Sequence, residues 1–134
     1  VEHLAAFLGS LGFILYGKLN NDQFMKVYRN IRAVIVPSIW PEPWPYVVVE
    51  AILKGRFVIA SNIGGIPEQV EGCEATILCE TGDHDQLAEA IQFVRSLNRE
   101  TVDDLGLKSR DAFLKRFSNE ATIRKFIGVC EHLT

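Results

Sequence analysis

The chain has 134 residues, of which 48% are hydrophobic and 23% charged, with a formal net charge of −3. This composition is typical of one soluble globular domain covering residues 1–134. Because the chain has no excess of basic residues, the charge argues against nucleic acid and anionic membranes as main partners. The three cysteines are widely spaced and form no CxxC pair, so we expect no zinc site and a reducing, cytoplasmic location. The sequence contains no run of 18 apolar residues, so we expect no membrane-spanning helix.

The N-terminal part predicts strand, helix, strand. Residues 13–17, FILYG, are a short apolar run closed by glycine, which is typical of a buried strand. The segment NNDQFMKVYRNIR repeats its apolar residues at helical spacing, with Asn20 or Asn21 as the N-cap. Residues 33–38, AVIVPS, predict a second buried strand that Pro37 stops.

The segment YVVVEAILKG can be read in two ways. Its three valines favour a strand. Pro45 stands well at the first helical position, however, and Gly55 suits the position just past a helix end. We therefore predict a helix that starts at Pro45.

The C-terminal part continues the alternation. Residues 56–61 and 74–79 predict strands, separated by a Gly–Pro loop and a short turn. Asp83 and Gln86 form the pattern of a capping box at the start of the next helix. Residues 100–134 predict two further helices, with Ser118 as the N-cap of the second.

Apolar strands alternating with helices indicate an α/β fold. We expect a Rossmann-like parallel sheet covered by helices on both faces. In such sheets ligands bind beyond the carboxyl ends of the strands. The loops expected there are residues 17–20, 37–45 and 61–68, and they contain the unusual residues of the chain.

The segment SIWPEPWPYVVVEA, residues 38–51, is stiffened by its prolines. Trp40, Glu42 and Trp44 each precede a proline and are therefore restricted to extended backbone. The carboxylate of Glu42 is consequently held in one direction, which lowers the entropic cost of binding a ligand.

The helix that follows can supply a phosphate site and a second carboxylate. Its N-terminal N–H groups and positive dipole end suit a diphosphate. Glu50 lies roughly 7 Å further along the axis, where it could accept hydrogen bonds from ribose hydroxyls. The pattern therefore outlines a nucleotide-sugar site.

Several motifs, in this order, resemble the C-terminal domain of group 1 glycosyltransferases, which are retaining enzymes of the GT-B type. They are the glutamate pair with seven residues between its members, the "PS" before it, "EA" and glycine after it, "VIAS" followed by "GGIPE", "TGD" with "LAEAI", and "RFS". The resemblance covers residue 13 to the C-terminus.

The resemblance implies roles for individual residues. Glu42 matches the catalytic glutamate that contacts the transferred sugar, and Glu50 matches the one that binds the donor ribose. The remaining donor-binding positions are Ser38, Trp44, the backbone of Tyr46 and Val47 at the diphosphate, Gly17 and Lys18 near the base, and Gly64 and Gly65 beside the cleft.

Two departures from the family pattern stand out. Pro45 occupies a position where many members have glycine, which removes one phosphate-binding N–H. The chain also lacks the N-terminal acceptor domain and the first βα units of such an enzyme. The resemblance therefore implies a fragment, truncated at its N-terminal end, that would be inactive alone.

We expect the chain to bind a nucleotide-diphosphate sugar for retaining hexosyl transfer without a cofactor or metal. Its acceptor would be a carbohydrate or a membrane-associated molecule, and self-association through the truncated edge is a further expectation. Two alternatives stay open: a catalytically silent nucleotide-sugar-binding or interaction module, and half of a sugar-nucleotide epimerase.

Overall fold

The computed structural model describes residues 12, 14 and 16–132. The chain divides into two compact units, residues 1–30 and residues 31–134. In chain order the described elements are α1 (Asn21–Asn30), β1 (Ala33–Val36), α2 (Tyr46–Leu53), β2 (Phe57–Ser61), α3 (Ile66–Val70), β3 (Thr76–Cys79), α4 (His84–Ser96), α5 (Arg99–Phe117) and α6 (Asn119–His132). Each of these helices is too short or too polar to span a bilayer.

The first unit contains α1, which begins as predicted. The Oδ1 atom of Asn20 accepts a hydrogen bond from the N–H of Gln23 at 2.9 Å, and the Oε1 atom of Gln23 accepts one from the N–H of Asn20 at 3.0 Å. This reciprocal pair is a capping box, and it identifies Asn20 as the residue that starts the helix.

The strand predicted at residues 13–17 is not seen in the described residues of that segment. Ile14, Tyr16 and Gly17 lie in neither a helix nor a strand, and the first two side chains are exposed. Residues 13 and 15 lie outside the described residues. Most of the segment 1–16, which forms the truncated edge expected to mediate self-association, also lies outside the described residues.

The second unit is built on a parallel three-stranded sheet with the order β1–β2–β3. Ala33 pairs with Phe57, and Val58 pairs with Thr76. All five residues of β2 are buried, because this strand has neighbours on both sides and helices on both faces. The predicted α/β architecture is therefore confirmed.

Two apolar clusters cover the two faces of β2. Val58 and Ala60 face the helices α2 and α3 together with Phe113 of α5. Phe57 and Ile59 face α4 and the first part of α5. Successive side chains of β2 point to opposite faces of the sheet, so this strand contributes to both clusters. Helix α5 also contributes residues to each of them.

Two predicted helix starts need correction. Pro45 is the N-cap of α2 rather than its first helical residue, because its ψ of 116° is extended and its carbonyl accepts the first turn's bond from Val48 at 3.2 Å. Asp83 caps α4 as predicted, but Gln86 does not complete a capping box. Its Oε1 atom accepts instead from the N–H of Glu80 at 2.9 Å, since the β3–α4 loop brings that group within reach.

Helix α5 approaches the turn between α2 and β2 very closely. A Cβ atom on Gly106 would lie 2.7 Å from the carbonyl carbon of Gly55, which has the left-handed φ of 63° expected just past a helix end. Further along α5, the buried Ser109 hydroxyl accepts a hydrogen bond from the N–H of Ala75 at 2.7 Å. Backbone proximity and one buried hydrogen bond therefore fix α5 on the sheet.

We predict that Gly106→Ala lowers the free energy of unfolding by about 1–3 kcal/mol, because the added methyl group forces the backbones apart. The matched control is Gly128→Ala in α6, where a Cβ atom meets nothing within 4 Å. That change should raise helix stability by about 0.5–1 kcal/mol. Urea unfolding of both variants measures the difference, and equal effects would contradict the close approach.

Candidate functional site

Two loops meet at the carboxyl edge of the sheet. The proline loop, residues 37–45, follows β1, and the glycine turn, residues 62–65, follows β2. The two strands are parallel, so both loops leave the sheet at the same edge. The N–H of Gly65 donates to the carbonyl oxygen of Glu42 at 2.9 Å, which joins them directly.

The glycine turn packs backbone to backbone against the proline loop. A Cβ atom on Gly64 would lie 2.9 Å from the backbone nitrogen of Glu42, and one on Gly65 would lie 2.7 Å from the carbonyl carbon of Pro43. Gly64 also has a φ of 59°, which glycine adopts without strain. Any side chain at either position would displace the loop that carries Glu42.

The far end of the proline loop rests on α5. The rings of Trp44 and Phe117 pack in a T-shaped arrangement with centroids 5.2 Å apart, and 37% of Trp44 remains exposed. The guanidinium of Arg116 lies 4.7 Å from the centroid of the same Phe117 ring. It also donates to the carbonyl oxygen of Glu68 at 3.0 Å and to that of Glu71. The contact between Trp44 and Phe117 gives Trp44 a packing role, in addition to the predicted donor-binding role.

Gln69 connects α3 to the start of α2. Its side chain is fully buried, and its Nε2 atom donates to the carbonyl oxygen of Pro45 at 3.4 Å. The pattern of the sequence did not reveal this residue, because a glutamine four residues after Gly65 carries no local signal of what it contacts.

The first turn of α2 leaves its N-terminus open to a ligand. Pro45 makes no side-chain cap, and the first turn contains no acidic residue. Tyr46 and Val47, the residues predicted to offer N–H groups, are the first two helical positions and are exposed. The positive end of the helix therefore faces an uncapped edge.

The two predicted carboxylates both belong to exposed residues. Glu42 lies in the proline loop and Glu50 in the second turn of α2, while Ser38 at the start of the loop is partly buried. Their roles toward a ligand stay predictions. Within the second unit, chain connectivity places all three on the loop and helix that follow β1.

Gly17 and Lys18 belong to the first unit. Gly17 has a φ of 63° and Lys18 is exposed. Their predicted place near the base of a donor stays a prediction.

A third loop, residues 80–83, reaches the same edge of the sheet. The Nδ2 atom of Asn62 donates to Glu80 at 3.2 Å, which ties this loop to the glycine turn. A cavity of about 60 Å³ lies between it and the first residues of the proline loop. It is far smaller than typical ligand pockets of roughly 300–1,000 Å³.

Cys79 lines this cavity without being poised for chemistry. Burial, and after it the Asp83 carboxylate, raises the pKa of the Cys79 thiol. The thiol is therefore protonated at neutral pH and a poor nucleophile. Burial likewise raises the pKa of Cys73, whose thiol lies 3.5 Å from the carbonyl oxygen of Ser109.

Comparison with known proteins decides the family. Residues 2–112 match the family described as "Glycosyl transferases group 1". The chain belongs to this family. The resemblance seen in the glutamate pair and the glycine turn is thereby confirmed.

The curated relatives that match this group 1 chain are much longer than it is. It is 31% identical over 114 residues to the lipopolysaccharide 1,2-N-acetylglucosaminetransferase of Salmonella typhimurium, covering 84% of this chain and 29% of that protein. It is 29% identical over 86 residues to the N-acetyl-alpha-D-glucosaminyl L-malate synthase of Bacillus anthracis, covering 63% and 22%. With a glycogen synthase of Mycobacterium tuberculosis the identity is 31% over 78 residues, covering 58% and 19%.

A solved structure shows the same architecture. The sucrose-phosphate synthase of Thermosynechococcus elongatus superposes with a TM-score of 0.70 at 28% identity, covering 90% of this group 1 chain and 30% of that one. The expected GT-B type of Rossmann-like fold is thus confirmed.

We predict that Gly65→Ala lowers the free energy of unfolding by about 2–3 kcal/mol through the clash with Pro43. The control is Gly72→Ala, which has a φ of 77° but open space around its Cβ atom, and which should cost about 1 kcal/mol. Backbone preference alone gives the opposite order, because Gly65 has an ordinary φ of −85°.

Tryptophan fluorescence provides the second readout for this prediction, since both tryptophans of the chain lie in the proline loop. Gly65→Ala should shift the emission of the folded protein, and Gly72→Ala should not. An unchanged emission for both variants would contradict the proposed packing of the two loops.

Proposed function

We propose that this chain binds the nucleotide-diphosphate sugar donor of a retaining glycosyltransferase. The observation that supports this most is the uncapped start of α2, which directly follows the Glu42 loop at the carboxyl edge of a parallel sheet. Family membership supports the transferase class. The chain matches 29% or less of the lengths of the three curated relatives compared above, so the activity of a whole enzyme is part of this proposal.

In this proposal the diphosphate lies at the N-terminus of α2. The N–H groups of Tyr46 and Val47 donate to its oxygens, and the helix dipole favours the negative charge that grows on the leaving group. Pro45 supplies no N–H, so these two groups carry the contact. The chemistry proposed here runs without a bound metal, since helix amides and protein cations balance the phosphate charge.

The two glutamates take different parts of the donor. Glu50 lies four residues after Tyr46, about 6 Å along α2 at 1.5 Å per residue, and accepts hydrogen bonds from the ribose hydroxyls. Glu42 orients the transferred sugar and stabilises the positive charge that develops at its reacting carbon. The acceptor, a carbohydrate or a membrane-associated molecule, would be held by a further domain, and transfer would take place in the cytoplasm.

Two substitutions separate the roles of the glutamates. Glu50→Gln should weaken binding of UDP, GDP or ADP and of the matching nucleotide sugars by about 10-fold or more, because a charged hydrogen-bond acceptor to the ribose is lost. Glu42→Gln should weaken only the nucleotide sugars, since the nucleotide alone makes no contact there. Isothermal titration calorimetry with the full chain measures both.

Glu89→Gln on α4 is the matched control, because Glu89 is exposed and lies in the middle of a helix. It should bind every ligand like the unmodified chain. Absence of binding at millimolar ligand would overturn the proposal in favour of a silent interaction module. Binding followed by release of free sugar without an acceptor would favour the epimerase-like reading.

A further inference from the structure

We propose that Gln69 is a positioning residue that directs the first N–H groups of α2 toward the diphosphate. This inference rests on the proposed function and adds a residue to it that lies outside the glutamate pair. Gln69 would touch no ligand and would act through the backbone of Pro45.

The geometry of one peptide group carries the argument. The carbonyl of Pro45 and the N–H of Tyr46 belong to the same planar, trans peptide unit and therefore point in opposite directions. The fully buried amide of Gln69 holds that carbonyl toward α3 through the 3.4 Å hydrogen bond. The N–H of Tyr46 is thereby turned away from the core, and the Tyr46 side chain beside it is 77% exposed.

A second observation shows that stability alone does not require this glutamine. Its Oε1 atom is buried and has no hydrogen-bond partner among the described residues, which is unfavourable for folding. The carbonyl of Pro45 would not be orphaned without Gln69, because it also accepts from the N–H of Val48 at 3.2 Å. A leucine of similar size would remove the orphaned oxygen and leave the Pro45 carbonyl with its hydrogen bond from Val48.

Gln69 therefore contributes something that an apolar residue would not, and the group that it contacts is the N-cap of the helix proposed to receive the diphosphate. If Gln69 had only a packing role, Gln69→Leu would change stability and ligand binding together. A positioning role predicts that the two properties separate.

The test compares Gln69→Leu with Gln92→Leu, a control on the exposed part of α4. Urea unfolding should show Gln69→Leu to be as stable as the unmodified chain or more stable. Calorimetry should show a loss of about 5- to 10-fold in affinity for UDP, GDP or ADP, the size of one hydrogen bond's influence. Affinity for the corresponding nucleosides, which lack phosphates, should stay unchanged.

Unchanged affinity of Gln69→Leu for the diphosphates would overturn the inference. So would equal losses for diphosphates and nucleosides accompanied by lower stability, because that pattern belongs to a purely structural residue.

A measurement without ligand keeps the inference separate from the proposed function. The amide signals of Tyr46 and Val47 in ¹⁵N–¹H spectra should move in Gln69→Leu and not in Gln92→Leu. If the unmodified chain binds no nucleotide, the proposed function fails, and these signals still decide whether Gln69 orients the start of α2. Unmoved signals overturn the positioning role.

Discussion

The backbone contact between the glycine turn and the proline loop is the constraint on which the site depends. Gly64 and Gly65 bring the chain so close to residues 41–43 that a methyl group would not fit, and the N–H of Gly65 adds a hydrogen bond to Glu42. The turn leaves directly from β2, the most buried strand of the sheet. The backbone of Glu42 is therefore held by a turn anchored in the buried core, although Glu42 itself is exposed.

The proline loop is fixed at three points by different physical means. The glycine turn packs against its middle, the ring of Phe117 packs against Trp44, and the amide of Gln69 donates to the carbonyl of Pro45. Proline restricts the backbone angles of such a loop, but it does not choose the loop's position relative to the sheet. The contacts from α3 and α5 fix the position of the proline loop relative to the sheet.

The site also departs from what stability alone would favour. A helix start without a cap, exposed carboxylates and a buried amide oxygen without a partner all lie within the segment 42–69. The helix starts later in the same unit differ in their caps: Asp83 and Asn98 cap their helices, and Ser118 does so through its hydroxyl. An uncapped helix start is expected where a protein binds a ligand, because groups kept free for a ligand cannot also be satisfied internally.

The sequence by itself determined the elements of the second unit, their parallel arrangement and the family, because apolar periodicity, helix caps and motif order are local properties of the chain. It also drew attention to Gly64 and Gly65, which the structure places against the proline loop, while their role toward a ligand stays a prediction. The position of Pro45 in its helix was predicted wrongly, and the strand predicted at residues 13–17 is not seen at Ile14, Tyr16 or Gly17, the described residues of that segment. Only the tertiary structure decided that Gln69 contacts Pro45, 24 residues away, that Trp44 packs on α5, and that the side-chain oxygen of Gln86 accepts from the N–H of Glu80 instead of that of Asp83. These contacts depend on which elements pack together, and no local pattern encodes the partner that a side chain will meet across the fold.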